Sequence, residues 1–200
     1  GVDSPVMIDA APDAFTLGAW GPAAMVVGAS TTTLNEDDGT LSSTTLEMVF
    51  AVGTPTCKDL YYTSRTLTTA WATPVPLGFN RADASEEGPR FSADALTLYF
   101  ASNRVSGQGL DIHRVTRSTV GGAWSIPPVL VTGPNSAANE KWFAPCTGDR
   151  YLVIVGGDIA EGQLNQGPPT PVPTLSAPNA NETGTFLTED CLTTYFASVR

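Results

Sequence analysis

Two stretches decide the fold: EEGPRFSADALTLYFASNR (Glu86–Arg104) and ETGTFLTEDCLTTYFASVR (Glu182–Arg200), which match without a gap at ten of nineteen positions, 96 residues apart. That offset is twice 48, and shorter echoes fill the interval. DLYYTSR (Asp59–Arg65) returns as DIHRVTR (Asp111–Arg117), 52 residues on, and each is followed by a Trp-x-x-Pro, at Trp71–Pro74 and Trp124–Pro127. Gly18-Ala19-Trp20 repeats Gly122-Ala123-Trp124, and Pro74–Pro76 repeats Pro171–Pro173. A period of roughly 48–55 residues belongs to propeller and solenoid arrays.

Within the second unit the sequence predicts four short strands: Pro89–Ser92, Thr97–Ser102, Asp111–Arg117 and one around Trp124–Val131. Turn-prone residues separate them. The run Leu98-Tyr99-Phe100-Ala101 is apolar on both alternating faces, as expected of a strand buried between neighbouring sheets. No segment keeps a 3.6-residue apolar period, so helix should be nearly absent. Four strands per unit favour an all-β fold, a β-propeller of four-stranded antiparallel blades, over a β-helix or an α-solenoid. The predicted domain is single, residues 1–200, with units at roughly 37–77, 87–130, 140–175 and 182–200. The last unit would be completed by residues 5–26, where Val6–Ala10 aligns with a third strand and Trp20 opens an outer one. The array either closes as a four-blade ring or is a window on a larger propeller; the end at Arg200, on a strand, favours the window.

Composition narrows the partners. The chain carries a formal charge of −10 and only two lysines, Lys58 and Lys141, so phosphate backbones and anionic membranes are poor partners. No apolar run reaches the length of a membrane span. Gly1–Pro5 shows no basic segment followed by an apolar core, which a processed exported protein and a cytosolic one would share. Cys57, Cys146 and Cys191 leave at least one thiol unpaired within the chain. A Cys146–Cys191 bridge between neighbouring units is one reading; reduced, buried cysteines are the other.

The quoted residues resemble the WD40-like PD40 repeat, the TolB-type propeller repeat of many exported bacterial proteins. Its pattern, roughly P-x-F-S-P-D-G-x-x-L-Y-F-x-S-x-R followed by D-I/L-Y and a W-x-x-P strand, is followed closely by Pro89–Arg104, Asp111-Ile112 and Trp124–Pro127. Ala93 and Ala95 stand where the family has Pro and Gly. The first unit has Thr44 at the aspartate position, and the third lacks the Tyr-Phe pair and the Trp. The resemblance implies a propeller and an extracytoplasmic location: periplasmic, outer-membrane-associated or secreted. It implies little about activity, because such propellers serve as binding platforms, peptidase-associated domains and envelope components.

Candidate chemistry is sparse. Glu36, Glu86, Glu140 and Glu182 share one phase of the four units, so rotation would bring them to one radius at a channel mouth. Like charges so placed need an arginine, a cation such as calcium, or a basic ligand group. Pairing with the in-phase arginines Arg65, Arg104, Arg117 and Arg200 is the structural reading. The stretch Asn35–Gly39 lacks the spacing of a calcium loop. Asp94, Asp149 and Asp190 suit turn capping better than metal ligation. The one histidine, His113, falls mid-strand, and no G-x-S-x-G elbow is present, so no catalytic residue and no metal ligand set is assigned. Trp71 and Trp124 should pack between blades, whereas Trp142 breaks phase and is the candidate for an exposed contact. The expected function is a non-catalytic module binding a protein, peptide or glycan. The alternative is a carbohydrate-active hydrolase or lectin using an acidic channel.

Overall fold

A computed structural model describes residues 26, 30, 34–44, 46–105 and 109–199. They form fourteen strands, and the one helical element among them is a 3-10 turn at Thr147–Asp149. The strands fall into three four-stranded meanders and one pair. The first sheet is β1 (Asn35–Leu41), β2 (Glu47–Thr54), β3 (Cys57–Ser64) and β4 (Val75–Pro76). The second is β5 (Glu86–Phe91), β6 (Thr97–Ser102), β7 (Asp111–Thr116) and β8 (Val129–Leu130). The third is β9 (Glu140–Pro145), β10 (Arg150–Val155), β11 (Asp158–Gln163) and β12 (Thr170–Pro171). In the fourth, β13 (Glu182–Leu187) pairs with β14 (Thr194–Ser198). Pairing within every sheet is antiparallel between consecutive strands.

The innermost strands pack in succession, β1 on β5, β5 on β9 and β9 on β13, which is the radial arrangement of propeller blades. Three apolar cores lie between blades. Val49, Ala51 and Leu60 meet Phe91, Leu98 and Phe100; Tyr99, Ala101 and Ile112 meet Phe143, Tyr151 and Val153; Leu152 and Ile154 meet Leu187 and Phe196. Strand β6 therefore buries both faces, Leu98 and Phe100 on one side and Tyr99 and Ala101 on the other, as its unbroken apolar run requires. The predicted strands of the second unit lie where they form, except that Trp124 precedes β8 instead of belonging to it. The predicted complement of the last blade, residues 5–26, lies outside the described residues apart from Val26. Gly18–Trp20 and Arg200 also lie outside them.

The recurring side chains tie blade to blade. Leu60 N donates to Asn80 Oδ1 at 3.2 Å, and Ile112 N to Asn135 Oδ1 at 2.6 Å, so in the first two blades an asparagine after the outer strand clips the third strand, a place that Ser176 Oγ takes in the third blade. Arg117 is the strongest tie: Nη1 and Nη2 donate to Glu47 Oε1 and Oε2 at 2.8 and 2.7 Å across the first interface. Nε also donates to the Ala95 carbonyl at 2.9 Å, and the guanidinium lies 4.3 Å from the Trp124 ring. In the first unit Arg65 covers Trp71 in the same way, at 4.6 Å. Both tryptophans are half-buried, less than blade-packing residues should be: an arginine lies over each ring, and Trp124 also packs against the edge of the first inter-blade core.

The turns follow the sequence with one exception. Asp94 Oδ1 accepts from Ser92 Oγ and Leu96 N, and Asp190 Oδ1 from Thr188 Oγ1 and Leu192 N. Ala95 and Cys191 take the left-handed backbone, at φ 56° and 62°, in the place where the repeat uses Gly. Asp149 instead adopts that conformation itself, at φ 61° beside the 3-10 turn. Cys146 and Cys191 are bridged, with Cα atoms 5.4 Å apart, and Cys57 is free and exposed, which replaces the reading of three buried thiols.

Candidate functional site at the propeller axis

All four innermost strands carry a bulge at the same level, with a left-handed residue in each: Asp38 (φ 53°), Gly88 (φ 55°), Trp142 (φ 49°) and Gly184 (φ 62°). The strand register slips at these points in every blade. A bulge re-aims side chains, and here it concentrates unlike residues around the axis. Trp142 lies against Gly88: a Cβ added to that glycine would stand 3.2 Å from Trp142 N and 3.4 Å from its Cδ1. The indole Nε1 donates to Asp38 Oδ1 at 2.8 Å, so blade three is tied across to blade one. Burial pushes the Asp38 carboxyl above the ordinary aspartate value, opposed by the Trp142 hydrogen bond. Trp142 is thus a half-buried plug between Gly88 and Asp38. Its departure from the repeat marks the bulge position, which holds Asp or Gly in the other blades.

The strand heads carry the phased glutamates. Glu36 pairs opposite Val52, Glu86 opposite Ser102, Glu140 opposite Val155 and Glu182 opposite Ser198, one equivalent rung in four blades. Glu86, Glu140 and Glu182 have no exposed surface, while Glu36 is half-buried. Arg104 Nη2 donates to Glu86 Oε1 at 3.0 Å, joined by Ser102 Oγ at 3.1 Å. Burial raises the Glu86 carboxyl above its ordinary value against the pull of Arg104. Glu140 accepts from the Ser136 hydroxyl and Glu182 from Ser198 Oγ. Burial, together with the Asp111 charge, raises Glu140 against the Ser136 hydrogen bonds. One residue further along each strand, Asp37 meets Lys58 at 2.6 Å and Glu87 meets Lys141 at 2.9 Å. Both lysines of the chain are therefore spent on this acidic level. His113 is buried, its Nδ1 3.0 Å from the Asp111 carbonyl, and burial lowers its pKa.

A cavity of about 390 Å³ opens at the opposite ends of the same strands. Each blade contributes its first turn, through Leu41, Ala93, Thr147 and Glu189. Thr40, Arg90 and Phe186 line it as well. Arg90 Nη2 donates to the Thr185 carbonyl at 3.0 Å, and the guanidinium lies 4.5 Å from the Phe186 ring, crossing the axis from blade two to blade four. Burial pushes the Arg90 pKa down to about 10. The Cys146–Cys191 bridge braces the wall between blades three and four, with Cys146 in the lining.

No protein-family model matches the chain, and no curated protein matches it in sequence. Among solved structures it is similar to a protein described as a TolB from Agrobacterium tumefaciens, at 19% identity and a TM-score of 0.46, over 66% of this chain and 46% of that one. It is also similar to a prolyl endopeptidase, at 12% identity and a TM-score of 0.40, over 82% of this chain and 31% of that one. The chain thus spans less than half the length of either. The propeller architecture rests on the chain's own sheets, their meander order and their radial packing.

Sequence reasoning singled out the glutamates and missed the residues of the cavity. Arg90 has Thr40, Ala144 and Phe186 as its counterparts two residues past each bulge, so a search for repeated positions passes over it. The signal was there in inverse form: a lone arginine directly after Gly88-Pro89 on an inner strand otherwise free of positive charge at that level.

Proposed function

We propose that this chain is the non-catalytic binding part of an exported, PD40-like propeller. It would take a peptide or protein segment into the cavity at the turn side of its axis. The observation that carries the reading is that cavity: turns from all four blades meet around it, as at a site read by a rotational scaffold, and its apolar walls (Phe91, Leu164, Phe186, Leu187) are interrupted by Arg90, Asp149 and Glu189. The bridge between Cys146 and Cys191 supports an oxidising, extracytoplasmic compartment. A carbohydrate-active reading built on the phased glutamates finds Glu86, Glu140 and Glu182 buried, without open space around them. Residues 5–26 are proposed to add the missing outer strands to β14.

Selection of displayed peptides on the whole chain tests the reading, with Ala93→Arg placed to block the mouth and Thr68→Arg on the exposed outer rim as the control. Selected peptides should lose affinity for Ala93→Arg and keep it for Thr68→Arg. Peptides indifferent to Ala93→Arg would move the binding surface off the axis.

A further inference from the structure

Arg90 is the unusual charge in this molecule. Twenty acidic residues outnumber ten basic ones. Yet among the described residues no carboxylate lies within ion-pair distance of Arg90, while Arg104, Arg117, Lys58 and Lys141 all have one. A desolvated guanidinium without a counter-charge is costly, and the fold gives it only one carbonyl and one ring face. Stacking on Phe186 and the bond to Thr185 hold its plane still, and Arg90 lines the turn-side cavity. Thr40, on the same wall, is 3% exposed, and its buried hydroxyl has no hydrogen-bond partner among the described residues. An unpartnered hydroxyl and a guanidinium without a counter-charge thus line one cavity, where a pre-set planar fork matches a carboxylate.

We propose that the turn-side cavity is a carboxylate site, in which Arg90 and Thr40 take the anionic end of a peptide whose apolar side chain lies against Phe186 and Leu41. The inference rests on the binding-module reading and names the ligand chemistry of the same cavity. One guanidinium balances one negative charge, and Asp149 and Glu189 in the lining oppose a dianion such as phosphate. The same two carboxylates suit an ammonium at the far end of a short ligand, so a tripeptide with both termini free is the matched probe.

Calorimetric titration of the whole chain with Ala-Ala-Phe, with its C-terminal amide and with inorganic phosphate tests this. Losing charged hydrogen bonds should weaken the amide by about 10- to 100-fold relative to the acid. Phosphate should bind more weakly than the acid. Arg90→Gln should remove the preference for the acid, Arg90→Lys should keep part of it, and Thr40→Val should reduce it; thermal melts show that each variant is folded. Equal binding of acid and amide, or a preference that survives Arg90→Gln, overturns the carboxylate site and leaves the binding module standing. Tighter phosphate than peptide binding overturns the choice of a monoanion. No binding of any probe also overturns the proposal, while the module reading is decided separately by the Ala93→Arg comparison.

Discussion

Replacing Arg117 with Met should cost about 3–5 kcal/mol at neutral pH, because it leaves the Glu47 carboxylate buried and without its cation. The side chains are 1% and 5% exposed, and both Glu47 oxygens bond the guanidinium. Tyr62 would remain, its hydroxyl donating to Glu47 Oε1 at 2.9 Å. Methionine fills similar volume, so the loss is electrostatic, with the stack on Trp124 contributing about 0.5–2 kcal/mol of it. Burial pushes the Glu47 carboxyl up, but the Arg117 and Tyr62 hydrogen bonds and the Arg117 charge outweigh it and hold the group below its ordinary value. The stabilisation is therefore present above the unfolded carboxyl pKa and is lost as pH falls through the lower, folded one. In Arg117→Met the sign reverses: desolvation without the cation raises the carboxyl, which protonates on acidification and relieves the penalty. Urea unfolding followed by tryptophan fluorescence should show the gap between variant and parent narrowing from pH 7 to pH 4.5. Adding Glu47→Leu should recover most of the loss, leaving about 1–2 kcal/mol for the Ala95 and Tyr62 partners. A cost under about 1 kcal/mol at pH 7, or one that does not change with pH, would refute the assignment of this pair as a principal tie between the first two blades.

Three further outcomes are expected. Gly88→Ala meets Trp142 at 3.2 Å from φ 55°, so it should destabilise more than Gly148→Ala, where φ is 70° and the space is open; about 1 kcal/mol is expected for the latter, and equal shifts in Tm would contradict the plug. Removing the disulfide with Cys146→Ser and Cys191→Ser should cost about 4 kcal/mol for a bridge spanning 45 residues, and thiol titration of the native, unreduced chain should find one reactive group, Cys57. Calcium should leave the Tm unchanged, because Glu86 is held by Arg104; a rise that Glu36→Gln or Glu140→Gln abolishes would restore the strand heads as a cation site.

The blades were legible because a strand buried on both faces leaves a continuous apolar run, as Leu98–Ala101 does, and Tyr195–Ala197 repeats that run in phase although its strand buries one face only among the described residues. The arginines were legible as ties by their recurrence, but their sockets differ: Arg104 bonds Glu86 of its own blade and Arg117 bonds Glu47 of the neighbouring one. What repetition hides is asymmetry. Arg90 and Phe186 share one level of two blades with unrelated chemistry, and Trp142 shares another with Asp38 and Gly88, so no alignment of units singles them out, and only the packing of blades side by side brings them together. Phase placed the glutamates on one rung, but phase carries no information on depth, and burial of three of them depends on the segments that precede each inner strand. The half-buried state of Trp71 and Trp124 was hidden likewise, since phase does not show that an arginine lies over each ring.

The turn-side end of the axis, and not the strand heads or the outer rim, is the place proposed for this propeller's partner. Backbone amide shifts of the labelled chain, recorded during titration with Ala-Ala-Phe, test it most directly. Shifts should concentrate at Thr40–Ser43, Arg90–Ala93, Cys146–Thr147 and Phe186–Glu189, the residues that surround the cavity. Shifts concentrated instead at Glu36, Glu86, Glu140 and Glu182, or along β4, β8 and β12 at the rim, would contradict it.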